Sequence, residues 1–90
     1  MSQRYQQNPA AETAPLGKGL MVLEPAERKF CALNYTSLLI WKRLEEPASR
    51  EQLVKHLSDN FQGVDEGEVS RDVDAILEEM TTLGIVARIR

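Results

Sequence analysis

Long apolar runs are absent from this sequence: no uninterrupted hydrophobic stretch among its 90 residues exceeds four, as in Leu38–Trp41. A membrane-spanning helix needs about 20 such residues, so none is expected, and the polar first residues hold no apolar segment of signal length. Cysteine and histidine occur once each, as Cys31 and His56. One thiol closes no internal disulfide, and the pair is too small a donor set for a zinc site. A glycine-rich phosphate loop is also missing. Positive charge is not in excess, since the formal net charge is −3 and the pI about 5.1. The chain therefore has no general attraction to phosphate backbones or anionic lipid. These absences set the expectation of a soluble cytoplasmic protein without metal or cofactor.

What is present reads as one globular domain. Hydrophobic residues make up 42% and charged residues 28%, with only 6% aromatic, so aliphatic side chains must fill the core. A domain of this length buries roughly 60–65% of its unfolded-chain surface. Residues 1–11 are rich in Gln, Asn and Ala and read as a mobile tail. The domain proper is expected over 12–90.

From Glu12 to Leu33 the short apolar segments "ETAPL", "GLMVL" and "KFCAL" are separated by "GKG" and "EPAER", both turn-forming compositions. Leu20 and Val22 alternate with Met21 and Leu23, and Phe30 and Ala32 alternate with Cys31 and Leu33, which is the period of a strand. The pattern predicts a three-stranded antiparallel meander. Three helices follow. The first starts after the cap residue Asn34 and runs to about Glu45, before Pro47. Its consecutive Leu38, Leu39, Ile40 and Trp41 point to nearly every side, so it is expected to lie centrally. The second opens with a capping box, Ser49 with Gln52, and carries Leu53, Val54, Leu57 and Phe61 on one stripe. The third follows "QGVDE", with Asp65 as cap. Its apolar Val69, Val73, Ile76, Leu77, Met80 and Leu83 fall within roughly 120° of arc on a helical wheel. Gly84 is placed to end it in a left-handed conformation. "IVARIR" then alternates as a short final strand. The fold class is α+β: a three-stranded antiparallel sheet followed by three helices.

No catalytic constellation survives inspection. Cys31 lies in an apolar strand and His56 on a helix flank, so a nucleophile–base pair is not expected. Asp72 and Asp74, two residues apart on a helix, diverge by about 200° and cannot share a proton or a metal. Strands followed by three helices also suit a DNA-binding winged helix. The third helix carries six acids between Glu66 and Leu83 against one base, Arg71, and would repel a duplex. Peptide recognition remains. A sheet ending in "RKFCALN" presents an edge to which another strand can add, through main-chain bonds and pockets for alternate side chains. The competing reading is an edge covered by the chain's own tail or by a second copy, which would make the protein a structural dimerisation module.

An ordered set of residues sharpens the choice. Leu33, Asn34, Thr36, Ile40 and Trp41, then Ser49, Leu53, Leu57 and Phe61, then Arg71, Asp72, Val73, Leu77 and Gly84 resemble the pattern of the PqqD-like family. The resemblance covers about Glu12 to Val86. It implies a compact winged-helix-like fold and a non-enzymatic role as recognition element for ribosomally made, post-translationally modified peptides. Such proteins bind the leader of a precursor as an extra strand and deliver it to a modifying enzyme or leader peptidase. By that resemblance the groove would comprise Arg28, Lys29, Phe30, Cys31 and Ala32 on the strand side. Asp72, Ala75, Ile76 and Glu79, with Arg71 beyond, would form the helix side. Where members serving pyrroloquinoline quinone synthesis tend to show a glycine-containing turn after the first helix, this chain has "EEPAS", and it resembles the broader family more.

Overall fold

The computed structural model describes residues 3–89 except 62 and 64, so part of the turn between the second and third helices lies outside the described residues. The element order is β1 (Arg4–Gln7), β2 (Glu12–Leu16), β3 (Gly19–Glu24), β4 (Lys29–Leu33), α1 (Tyr35–Arg43), β5 (Ala48–Ser49), α2 (Arg50–Asn60), α3 (Glu66–Leu83) and β6 (Val86–Ile89). The expected meander is present as the antiparallel sheet β2-β3-β4, with Val22 opposite Cys31 and Leu20 opposite Leu33. Directly opposed residues share a face. Val22, Cys31 and Leu33 are therefore turned to the core together, while Phe30 and Ala32 stay exposed.

The β3–β4 turn is shaped by one carboxylate. Glu24 is buried, and its two oxygens accept the amide N–H groups of Ala26 at 3.1 Å and Glu27 at 2.7 Å. Arg28 completes the turn at a φ of +56°. Arg28, which the resemblance assigned to the strand side of the groove, thus belongs to the turn, and the strand begins at Lys29 as the segment "KFCAL" predicts.

The helices begin where their caps predict. Asn34 accepts the N–H of Ser37 through its side chain, and Ser49 and Gln52 form the reciprocal capping box. Asp65 takes the N-cap backbone conformation of α3, although its side chain makes no cap hydrogen bond. Gly84 ends α3 at a φ of +81°, and a Cβ there would stand 3.3 Å from the Glu24 side chain. Val69, Val73, Leu77 and Met80 are buried along the α3 stripe, and they meet Ile40, Leu44, Leu53 and Leu57 in a single aliphatic core. Helix α1 packs on β3, β4 and α2. It is less enclosed than its apolar run suggested: Ile40 and Trp41 are buried, Leu38 and Leu39 half-buried, and Tyr35 exposed.

The amino-terminal segment departs from expectation. Residues Arg4–Gln7 are not a tail; they form the middle strand of a second antiparallel sheet, β5-β1-β6. Arg4 pairs with both Ser49 and Ile89, and Gln7 with Val86. The segment is also tied to helix ends. The Gln7 side-chain amide donates to the Trp41 carbonyl at 2.6 Å, and its backbone N–H to the Leu44 carbonyl at 2.9 Å. Asn8 donates to the carbonyls of Ile85 through its backbone and Gly84 through its side chain. Polar side chains gave no amphipathic signal, yet they satisfy carbonyls that helix termini leave open.

Two stability measurements test this packing. Trp41→Ala should lower the urea-derived unfolding free energy by about 3–5 kcal/mol. Asn8→Ala removes the bond to Gly84 and the acceptor of the Ala10 amide, and should cost about 1–2 kcal/mol. An unchanged midpoint for Asn8→Ala would mean that the amino-terminal strand is not docked in solution.

Candidate functional site

Sheet β2-β3-β4 has two outer edges, and they differ in kind. Strand β2 is exposed throughout and carries Pro15, which removes an amide donor and blunts that edge. Strand β4 has no strand partner on its outer side among the described residues, and α3 stands across from it.

Along α3 runs a groove made of three adjoining depressions, the first facing β4 and the other two facing the start of α1, the last of them reaching the end of α2. The first, about 600 Å³, lies between Phe30, Cys31 and Ala32 on one side and Ala75, Glu78, Glu79, Thr82 and Leu83 on the other. A second of about 230 Å³ is lined by Asn34, Thr36, Asp72, Ala75 and Ile76. A third of about 240 Å³ adds Leu57, Phe61, Glu68 and Val69 beside Thr36 and Asp72. Ala75 is common to the first two, and Thr36 and Asp72 to the last two. As the chain advances from Phe30 to Thr36, the opposite wall therefore retreats along α3 from Leu83 to Glu68. Spanning those helix positions takes about 22 Å, room for roughly six or seven extended residues.

Among the described residues, one side-chain hydrogen bond joins β4 to α3 across the groove. The Cys31 thiol donates to Glu79 Oε1 at 3.5 Å. Burial, reinforced by that bond and by the carboxylate charge, pushes the thiol up to about 11. A thiol held neutral in this way is a poor nucleophile, so Cys31 serves as groove floor. Among the described residues there is no group of three or more His, Cys, Asp or Glu side chains arranged to hold a metal ion.

The opposite flank of α3 is pinned to α2. Arg50 donates to both carboxylate oxygens of Asp74, at 3.0 Å from Nη2 to Oδ2, and to the Ser70 hydroxyl. The Arg50 hydrogen bond holds the Asp74 carboxyl below its ordinary range. A cleft of about 700 Å³ lies on this side, lined chiefly by polar and charged residues, including Arg50, Lys55 and Glu66, and no strand edge borders it.

Of the residues singled out in the sequence, Phe30, Cys31, Ala32, Asp72, Ala75, Ile76 and Glu79 are brought together along the groove. Lys29 is at the start of β4, paired with Glu27 at 3.3 Å, and Arg28 is in the turn. Arg71 lines none of the three depressions; 100° of helical rotation separates it from Asp72. The structure adds Glu78, Thr82 and Leu83 to the wall and Asn34 and Thr36 to the floor. Leu83 lies four residues past Glu79, and Thr82 seven past Ala75. That spacing marks the same helix face once the facing strand is known.

Two solved structures are similar to this fold. TbiB1 in complex with the TbiA(β) leader peptide has a TM-score of 0.77 at 21% identity, covering 90% of this chain and 93% of that one. Lasso peptide synthetase B1 complexed with the leader peptide has a TM-score of 0.76 at 22% identity, covering 92% and 96%. No curated protein matches the sequence. Residues 19–86 match the family described as coenzyme PQQ synthesis protein D (PqqD). The match runs from the first residue of β3 through all three helices to the first residue of β6, and the chain belongs to the PqqD family.

Proposed function

We propose that this protein is a non-enzymatic adaptor that binds the leader segment of a ribosomally made precursor peptide and delivers it to a modifying enzyme or leader peptidase. The observation that carries the reading is the outer edge of β4, unpaired among the described residues and facing α3 across the first of the three depressions. An extended peptide there takes main-chain hydrogen bonds from β4, and its alternate side chains enter the depressions along α3. The two similar structures, both complexes with leader peptides, support the same choice of ligand. Family membership supports a role in peptide-derived biosynthesis. The exposed face of α3 carries Glu66, Glu68, Asp72, Asp74, Glu78 and Glu79 against Arg71, which weighs against a duplex as partner.

Titration of fluorescent leader peptides from a precursor encoded in the same locus should give micromolar or tighter binding, with slowed amide exchange confined to β4. Ala75→Trp, at an exposed residue shared by two depressions, should weaken that binding at least tenfold while leaving circular dichroism unchanged. A leader that binds without protecting β4 would refute strand addition. Cys31 offers an independent reading. Since the thiolate is the nucleophile, alkylation by iodoacetamide should be slow at pH 8 and accelerate as pH rises toward the thiol's value near 11. Saturating leader should slow it further; equal rates with and without leader would place the peptide elsewhere.

A further inference from the structure

The α3 wall of the groove is not uniformly acidic; it alternates. Going from its Leu83 end, Glu79 and Glu78 are followed by the apolar pair Ala75 and Ile76, then Asp72 and Glu68. The intervals along the helix axis are each about 5 Å. An added strand presents same-face side chains about 6.8 Å apart, close enough for flexible side chains to match. Across from this wall, Phe30, Cys31 and Ala32 contribute no charge, and no Lys or Arg lines any of the three depressions. The one basic residue of α3, Arg71, lines none of them, and Asp74, which Arg50 does neutralise, lies on the other flank. The carboxylates of Asp72 and Glu79 therefore meet a bound strand without a basic neighbour in the groove.

We infer that the groove selects leader segments of the pattern basic–x–aliphatic–x–basic, with Glu79 and Asp72 taking the two cations and the Ala75–Ile76 surface taking the aliphatic side chain. The inference rests on the proposed strand addition to β4 and specifies its ligand. Glu79 has a second attachment, the Cys31 thiol at 3.5 Å, which holds its carboxylate over the groove floor. Asp72, at the junction of two depressions, is free to meet a Lys or Arg from either. The two acids act on specificity and association, and the main-chain bonds of β4 supply binding common to all sequences.

Three fluorescein-labelled synthetic peptides of equal length, identical except for Lys, Gln or Glu at the two positions flanking a central x-Leu-x, test this by fluorescence polarisation. The Lys peptide should bind tightest and the Glu peptide weakest, and raising the salt concentration should narrow the difference. Asp72→Asn and Glu79→Gln, both at exposed positions and nearly isosteric, should each weaken the Lys peptide roughly two- to fivefold and affect the Gln peptide less than the Lys peptide. Amide exchange at β4 separates the two levels of the reading. If all three peptides protect β4 with equal affinity, strand addition stands and the charge pattern is wrong. If the Lys peptide binds best but neither variant changes its affinity, the attraction does not come from Asp72 and Glu79 and the inference fails. If no peptide binds or protects β4, both readings fall.

Discussion

The placement of α3 is the constraint on which the groove depends. Its apolar stripe is sunk into the aliphatic core through Val73, Leu77 and Met80. That burial alone would leave the helix free to rock about its long axis. Rotation is limited by polar contacts at separate points: Arg50 grips Asp74 and Ser70 on one flank, and Asn8 takes the carbonyls of Gly84 and Ile85 just past the carboxyl end. The Cys31–Glu79 contact fixes the other flank opposite β4. An edge strand left open is a liability unless something limits what can reach it. Here α3 stands beside that edge, with the first depression between them.

If a peptide adds to β4 as proposed, the same arrangement separates affinity from selectivity in space. Backbone groups of β4 are indifferent to ligand sequence. The opposite wall is made of side chains that vary in charge and size at each helix turn, so that the identity of a ligand is read from one side only. A change at an exposed α3 position can then retune the partner without disturbing the core, because Asp72, Ala75 and Glu79 are exposed while their neighbours Val73, Leu77 and Met80 carry the packing.

The meander and the three helices are legible in the sequence because each is announced locally: strand alternation at Leu20–Leu23 and Phe30–Leu33, caps at Asn34 and Ser49, and a 120° apolar stripe on α3. Strand β1 is not. "RYQQ" has no apolar alternation, and its partners lie more than forty residues away at Ala48–Ser49 and more than seventy at Val86–Ile89. Its order comes from carbonyls offered by other elements, which no local window contains. The site divides in the same way. The strand side follows from the edge itself, whereas Asp72, Ala75 and Glu79 come from the resemblance to the PqqD-like family and not from a local pattern. Arg71, which the resemblance set beyond that flank, lines none of the depressions because it neighbours Asp72 in sequence but not on the helix face, and Glu78, Thr82 and Leu83 require knowing where along α3 the strand crosses.

The second sheet brings the two ends of the chain together. Arg4 stands directly opposite Ile89 across an antiparallel pair, a Cα separation of about 5 Å. A domain whose ends meet can be spliced into a surface loop of another protein with little displacement of either. The groove lies on the other sheet, between β4 and α3, so a host joined through these ends need not obstruct it. The fold is in this respect a portable cassette, since connections made at its first and last strands start from the same place on its surface.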